Sequence, residues 1–530
     1  MTQLLKENKI FAIFLFLLFA AYFSAVFLPI EKILSYFVID DAFYYFKIAS
    51  NIAKGLEPTF DGEYFTNGYH PFWMGLLVLI YYFIPADKIL AVKVILGLSV
   101  ILYFLTSLLI WKIISFFVKN EITQYILVGA YALNPWNLTF YLNGLETPLS
   151  LLFFSWLILI CLEIFSGQDS GKNFILAGII SGLLILVRLD YGLFAAFTFL
   201  AIIWKRGLDW KNLTWFCLPA ALLAGPWFLY NKIYFGSFFP TSGLSYTLIN
   251  HRLFFYKSRS LAKIILWSIY NFGGSLAFSL QTIGLPMLHY AIEAWVRSAA
   301  WLLLLAGFLA SPVIYLWKRR GLGFLKSAGW VTFAIFLFGF LASVFVHGAI
   351  RWSGRPWYFS VFPIIAILFA VLLLSEEPIY FYQKRISVFF LIFYLISYGF
   401  YAKDIFFQQA NQVDMYRMAV WVRDNLPEDA RIASFNSGIV GYFSDRFVLN
   451  SDGLVNQQAY EAMKENRLWE FFQKSKIDYI IDYEIALTYR YKSFLGIDDP
   501  LDRLRKVETV GLPDASKDNY AGSRLAVYKL

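Results

Sequence analysis

The sequence predicts a helical membrane bundle of about eleven transmembrane helices, followed by a small C-terminal α/β domain. Hydrophobic residues make up 59% of the 530 residues, only 15% are charged, and the mean hydropathy is +0.59. Soluble chains carry about 25% charged residues, so this composition excludes a soluble enzyme and a disordered scaffold. The apolar residues form long runs, which excludes an outer-membrane barrel with alternating strands.

The first apolar run extends from Ile10 to Leu28 and follows two lysines, Lys6 and Lys9. Its length is that of one crossing, and no small-x-small cleavage site ends it. We therefore expect an uncleaved first span whose N-terminal end lies in the cytoplasm. The two cysteines lie inside later apolar runs, so no disulfide framework is expected.

The run at 71–85 is too short for a full crossing and is closed by Pro85 and Asp87. If it does not cross, the basic clusters between the remaining spans all lie on the side of the N-terminus, as the positive-inside rule requires. We therefore predict that 71–85 lies on or dips into the outer face. The other predicted spans are 89–111, 122–140, 147–165, 173–188, 191–204, 213–230, 295–317, 328–347, 357–374 and 386–402.

This threading gives a transmembrane domain over 1–403, with outer loops at 31–88 and 232–294. The second loop contains an apolar piece, 261–280, which Gly273 and Gly274 interrupt. We expect it to re-enter the membrane without crossing, and a hidden pair of spans would leave the rest of the topology unchanged.

Residues 404–530 are rich in charge and are predicted to form a soluble domain on the outer face. Helical periodicity at 415–425 alternates with strand-like segments at 430–435 and 477–482, which favours an α/β fold. We interpret this domain as a structural or acceptor-facing cap.

Two adjacent carboxylates, Asp40 and Asp41, open an aromatic segment of the first outer loop. Buried carboxylates are costly unless they are paired, solvated or metal-bound. On a helix, adjacent side chains point about 100 degrees apart, so the two can hold separate roles. One can accept a proton from an attacking hydroxyl; the alternative is that one of them caps the helix that runs to Ala53.

The segment Thr66–Trp73 carries tight-turn and aromatic residues just above the expected bilayer surface. Tyr69 and Trp73 are predicted to stack on a sugar or acceptor, and His70 is grouped with them. An interfacial aromatic belt is the alternative, and a structural role is the alternative for the histidine.

The motifs of these loops resemble the GT-C superfamily of membrane glycosyltransferases. They are Asp40–Tyr45, the Thr-Phe-Asp-Gly turn at 59–62, and Thr66–Trp73. The turn 143–149 and the segment 186–190 resemble the arabinofuranosyltransferase-like members, and 450–456 is typical of such chains. The order of these motifs along the chain also resembles that of the protein-mannosyltransferase and aminoarabinose-transferase-like members.

The resemblance implies a GT-C-type fold and an enzyme that moves a monosaccharide from a polyprenyl phosphate to a glycan, lipid or protein acceptor outside the cytoplasm. In that superfamily a carboxylate of the first outer loop is the catalytic base or a metal partner, which implies this role for Asp40 and Asp41. Asp41 with Glu146 is the candidate pair for a divalent cation. Such oxygen ligands suit magnesium, manganese or calcium better than zinc.

A lipid phosphate needs cationic partners, and arginine is the favoured bidentate one. Arg351 and Arg355 are the main candidates because arginines on the outer face run against the positive-inside trend. Arg188, Lys47 and His347 are lesser candidates, and a simple salt bridge between Arg188 and Asp190 is left open. The predicted chemistry is direct displacement with inversion at the anomeric carbon.

Two other functions remain open from the sequence. An oligosaccharide ligase would move a preassembled glycan, and a lipid-linked sugar flippase would carry ionisable residues at mid-membrane depth. The net charge of +9 does not indicate nucleic acid, because the basic residues occur in short clusters between apolar runs. The predicted location is a multi-pass cytoplasmic membrane protein with an extracytoplasmic active site.

Overall fold

A computed structural model describes residues 9–168, 170–257, 260–283, 326–376, 382–406, 410–510 and 524–530. It is mostly helical with one small C-terminal sheet, which confirms the predicted fold class. The predicted span 295–317 lies outside the described residues.

The helices are numbered along the chain. They are α1 Lys9–Phe23, α2 Ile30–Tyr36, α3 Asp40–Ala53, α4 Pro71–Phe83, α5 Lys88–Phe117, α6 Glu121–Ala132, α7 Pro135–Leu142, α8 Thr147–Phe165, α9 Gly171–Val187, α10 Gly192–Arg206, α11 Trp210–Phe235, α12 Thr241–Lys257, α13 Leu261–Gln281, α14 Ala328–Val344, α15 Phe362–Leu374, α16 Gln383–Phe406, α17 Ala410–Asn425, α18 Gly438–Phe443, α19 Gln457–Lys464, α20 Leu468–Lys474 and α21 Lys492–Leu495. Short 3₁₀ turns at Ser24–Phe27, Leu189–Tyr191 and Pro356–Phe359 and a π-helix at Phe345–Ile350 extend or join them.

Seven helical segments among the described residues are long and apolar enough to cross a membrane, against about eleven predicted. Two predicted spans correspond to the shorter helices α9 and α10, of 17 and 15 residues. Helix α4 has only 13 residues, in line with its predicted shortness. The seven segments are Lys9–Phe27, Lys88–Phe117, Thr147–Phe165, Trp210–Phe235, Leu261–Gln281, Ala328–Ile350 and Pro356–Leu374.

Two local predictions are wrong. The run 122–140 is divided, because the Asn134 side chain accepts from the Trp136 N–H at 2.9 Å and Pro135 starts a new helix. The glycines at 273 and 274 do not interrupt α13, which is continuous and long enough to cross. The π-helix approaches this helix closely at its own Gly348, where a Cβ would lie 3.0 Å from the Asn271 carbonyl oxygen.

The C-terminal domain is built on a five-stranded sheet. Its strands are β1 Arg431–Ser434, β2 Phe447–Asn450, β3 Tyr479–Tyr483, β4 Arg505–Val510 and β5 Leu525–Lys529, in the order β2-β1-β3-β5-β4. Strand β1 pairs in parallel with β2 and β3, whereas β5 pairs antiparallel with β3 and β4. The carboxyl ends of the three parallel strands therefore meet at one edge.

The domain fits closely against the loop 31–88. A Cβ added to Gly68 would lie 2.1 Å from the Leu454 carbonyl oxygen, and one added to Gly441 would lie 2.4 Å from the Phe60 ring. Arg431 also donates both Nη groups to the Glu63 carboxylate, at 2.7 and 2.8 Å. Glycine is required where backbones and rings come this near, so the two parts of the chain pack tightly against each other here.

Candidate active site

A cavity of about 410 Å³ lies between the loop-facing ends of the membrane helices and the C-terminal domain. Its volume is within the range of small-molecule sites. Four carboxylates and four guanidinium groups line it, so its formal charge is balanced. Its ionisable and aromatic lining includes Asp41, Tyr44, Tyr45, His70, Glu146, Arg188, Asp190, His347, Arg351, Arg355, Tyr358, Asp452, Arg490 and Tyr491.

The two adjacent aspartates face different surroundings, as their position in the first turn of α3 requires. Asp41 lines the cavity. Asp40 lies outside it: its Oδ1 accepts the Ile439 N–H at 2.6 Å, and its Oδ2 accepts the Gly438 N–H at 3.3 Å. Neither aspartate caps α3, which was the predicted alternative. Asp40 instead accepts hydrogen bonds from the first residues of another helix, α18.

Burial shifts both carboxyl groups in the same direction. It raises the pKa of Asp40 to about 7, against the opposing effect of the Ile439 N–H. Burial also raises the pKa of Asp41, and the guanidinium groups of Arg355 and Arg490 offset part of that rise. A carboxylate with a raised pKa that faces a cavity is suited to accept a proton.

Glu146 reaches the cavity through a tight turn. Gly144 has φ +81°, and a Cβ there would lie 2.8 Å from the Ala42 Cβ, so the turn packs directly on α3. The Glu146 carboxylate is buried, and its Oε1 accepts from Arg188 Nη1 at 2.8 Å. The His70 Nε2 lies 3.9 Å from the same oxygen.

Arg188 is almost fully buried and bridges two carboxylates. Besides Glu146, it donates through Nε and Nη2 to the two oxygens of Asp190, at 3.2 and 3.1 Å. Its guanidinium group lies over the Tyr191 and Tyr358 rings. The salt bridge between Arg188 and Asp190 is therefore present, and the three bonds use three of the five guanidinium donors. The phosphate role of Arg188 stays a prediction.

His347 extends this chain of charges. Its Nε2 lies 3.1 Å from Asp190 Oδ2, and its Nδ1 lies 3.3 Å from Arg351 Nη1. A guanidinium group only donates, so Nδ1 accepts and Nε2 carries the hydrogen that faces Asp190. The ring also stacks on Tyr358 at 4.2 Å, which fixes its orientation.

Arg351 and Arg355 both line the cavity, as the phosphate prediction requires. Arg351 donates from Nε to the Thr247 hydroxyl at 3.1 Å and from Nη2 to the Gly243 carbonyl at 3.2 Å. In the part of the chain that the structure describes, no carboxylate oxygen lies within 4.0 Å of its nitrogens. Arg355 lies over the Tyr246 and Trp357 rings.

Three other predicted site residues are placed elsewhere. Lys47 lies outside the cavity, where burial and the nearby Lys88 lower its pKa to about 8. Tyr69 packs 5.4 Å from the Trp227 ring, and Trp73 is completely buried in the core. Of the predicted sugar-binding group only His70 reaches the cavity. Tyr69 and Trp73 are buried among other side chains and do not line the cavity.

The geometry around Glu146 does not fit a divalent cation. Its Oε1 accepts from Arg188, and guanidinium groups act on both members of the predicted pair. Among residues 9–168, 170–257, 260–283, 326–376, 382–406, 410–510 and 524–530, no group of three or more His, Cys, Asp or Glu side chains could hold a metal ion. A cation there would have to displace a buried ion pair, which is costly.

The C-terminal domain contributes residues that sequence reasoning did not assign. Asp452, Arg490 and Tyr491 line the cavity together with Asn436. Asp452 falls in the stretch 450–456 that resembles other GT-C chains, so a signal for it was present. Nothing in the sequence near Arg490 marks it, since only the packing of the domain brings it to the cavity.

Solved structures with the same architecture were found by comparison of the fold. ArnT from Cupriavidus metallidurans, in a structure bound to undecaprenyl phosphate, matches with a TM-score of 0.56 at 11% identity, over 98% of this chain and 98% of that one. The Archaeoglobus fulgidus oligosaccharyltransferase, in a complex with Zn and sulfate, matches with a TM-score of 0.55 at 13% identity, over 91% of this chain and 69% of that one. The chain has the GT-C fold.

Likeness in sequence adds little to this assignment of the GT-C fold. Residues 403–528 match the family model described as Domain of unknown function (DUF8728). No curated protein matches the chain by sequence. The mycobacterial arabinofuranosyltransferase AftD shows a weaker structural likeness, with a TM-score of 0.46 at 13% identity over 97% of this chain and 40% of that one.

Proposed function

We propose that this GT-C protein transfers a monosaccharide from a polyprenyl-phosphate donor to an acceptor hydroxyl, with inversion at the anomeric carbon. The observation that carries the proposal is the cavity itself. It holds a half-buried carboxylate, Asp41, together with two arginines, Arg351 and Arg355, that membrane-domain segments supply. The fold is also that of ArnT, whose structure contains undecaprenyl phosphate.

In this mechanism Asp41 takes the proton from the acceptor hydroxyl while that oxygen bonds to the anomeric carbon. The bond between the anomeric carbon and the phosphate oxygen breaks, and its electron pair stays on the phosphate. A phosphodiester with one negative charge thereby becomes a monoester with a second developing charge. Arg351 and Arg355 stabilise that charge in the transition state, where it is greatest.

The chain Glu146–Arg188–Asp190–His347 serves to position Arg351. Each member holds the next through the hydrogen bonds described above, and the last contact fixes one face of the Arg351 guanidinium. No step of this mechanism passes through a metal ion.

The two alternative functions are less well supported. An oligosaccharide ligase is favoured by the likeness to the Archaeoglobus fulgidus enzyme, but a cavity of about 410 Å³ is small for a preassembled glycan. A flippase would need ionisable groups at mid-membrane depth. Here Asp41, Glu146 and Asp190 instead lie at the ends of helices.

The test uses the full-length protein in liposomes with a panel of radiolabelled polyprenyl-phosphate monosaccharides. We expect release of polyprenyl phosphate and label in an acceptor fraction for at least one donor, and loss of both with Asp41→Asn. Equal turnover by the wild type and this variant would refute the proposal. Cysteine labelling at position 41, in a variant without Cys161 and Cys217, tests the proposed extracytoplasmic location of the cavity.

A further inference from the structure

The wall of the cavity that the C-terminal domain forms comes from one edge of its sheet. Asn436 follows β1, Asp452 follows β2, and Arg490 lies in the segment after β3. These three strands are parallel neighbours, so their carboxyl ends lie side by side. Ligands of α/β domains bind outside the carboxyl ends of parallel strands, and this edge faces the same cavity as Asp41.

Asp452 is held rigidly at this edge. It is 4% exposed, and its Oδ1 accepts the Leu454 N–H at 3.0 Å. The next residue, Gly453, has φ +70°, and a Cβ there would lie 2.8 Å from the Tyr460 Cα. The Ser245 hydroxyl of α12 donates to the Asp452 carbonyl oxygen. A carboxylate fixed this well before ligand binding loses little conformational entropy when it binds.

The charges of the cavity are divided between its two walls. Segments of the membrane domain supply Arg351 and Arg355, which suit an anionic donor. The C-terminal domain supplies one carboxylate, Asp452, and one guanidinium, Arg490, whose formal charges cancel. The positive charges of Arg355 on one wall and of Arg490 on the other both lower the pKa of Asp41, against the effect of its burial.

We propose that Asp452 and Arg490 form the acceptor subsite and that it accepts an uncharged polyol, the hydroxyl groups of a neutral sugar. This inference rests on the proposed function. A carboxylate accepts hydrogen bonds from hydroxyl groups and a guanidinium donates to them, so the pair matches both sides of a sugar hydroxyl. The formal charges of Asp452 and Arg490 cancel, so this pair offers no net positive charge to attract a phosphorylated or acidic acceptor.

The experiment uses full-length protein in nanodiscs, with methyl glycosides of neutral hexoses and pentoses and their 6-phosphate or 5-phosphate forms as probes. Saturation-transfer NMR measures binding of these probes, and transfer from radiolabelled polyprenyl-phosphate sugars measures the KM for them. Binding of undecaprenyl phosphate is measured separately. The variants are Asp452→Asn and Arg490→Gln, with the exposed Asp498→Asn as the matched control.

We expect Asp452→Asn to raise the acceptor KM at least tenfold and to leave the Kd for undecaprenyl phosphate within twofold. The neutral glycosides should bind and the phosphorylated ones should not. An unchanged acceptor KM, a preference for phosphorylated probes, or a loss of undecaprenyl-phosphate binding would each overturn the assignment. If Asp452→Asn lowers the Tm, Arg490→Gln gives the same test.

The failure of the proposed function would look different. In that case no donor would be used by the wild type, whereas binding of neutral methyl glycosides would still depend on Asp452 if the subsite exists. Wild-type turnover with acceptor binding unaffected by both variants would leave the proposed function standing and refute the acceptor subsite.

Discussion

Replacing Asp41 and Asp40 by asparagine, one at a time, distinguishes the loss of proton transfer from the loss of packing between α3 and the C-terminal domain. Asp41→Asn removes the proton acceptor from the cavity and keeps the shape of the side chain. General-base catalysis contributes roughly 10²- to 10⁴-fold, so kcat should fall by that factor, or about 3–5 kcal/mol of activation free energy. The Tm should stay near that of the wild type.

Asp40→Asn should act on stability instead. The carboxylate accepts two backbone N–H groups, at 2.6 and 3.3 Å. The asparagine side chain keeps one acceptor oxygen and turns its NH₂ group toward the other donor. Leaving a buried donor without a partner costs about 1–3 kcal/mol, so the free energy of unfolding should fall by that amount, and kcat should change less than tenfold.

The assay pairs thermal unfolding with turnover of a radiolabelled polyprenyl-phosphate sugar, with Asp498→Asn as the exposed control. Near wild-type turnover by Asp41→Asn would refute the assignment of the base. Complete loss of turnover by Asp40→Asn at an unchanged Tm would show that the first aspartate, and not the second, carries the proton.

Four further outcomes are expected. Arg351→Gln should weaken undecaprenyl-phosphate binding roughly 10- to 100-fold, since a charged hydrogen bond contributes about 1.5–3 kcal/mol, whereas Lys47→Gln outside the cavity should change the Kd less than twofold. Arg188→Met leaves the buried Glu146 carboxylate without its ion-pair partner and Asp190 with His347 alone, and should destabilise the protein by about 3–5 kcal/mol in thermal or denaturant unfolding. Burial raises the pKa values of Asp40 and Asp452 to about 7, from about 4 in the unfolded chain. Their contribution to stability is therefore full below about pH 4 and is lost as the pH rises through 7. The difference between the Tm at pH 5 and the Tm at pH 8 should consequently be smaller in Asp452→Asn than in the wild type. Chelation with EDTA should leave the transfer rate within twofold, and a loss that one divalent ion restores would contradict the absence of a metal step.

Much of the architecture follows from composition and local chemistry. Long apolar runs need lipid as solvent, and the shortness of α4 is set by Pro85 and Asp87 beside it. Alternating helix and strand patterns after residue 403 predict the α/β domain because they depend only on local periodicity. The glycines at 273 and 274 mislead, since the helix Leu261–Gln281 continues through both of them.

The sequence by itself determined which residue types the cavity would hold: an acidic pair after the first span, a glutamate at a glycine turn, and arginines that run against the charge bias of the membrane. Only the tertiary structure decided what each of them does. Asp40 and Asp41 differ by one position, and α18, some 400 residues further along the chain, occupies the first and leaves the second to the cavity. Arg188 is bound by carboxylates on two different segments, and Asp452 and Arg490 reach the site only because three parallel strands end at one edge. Such contacts join residues far apart in the chain, and no local period or spacing encodes them.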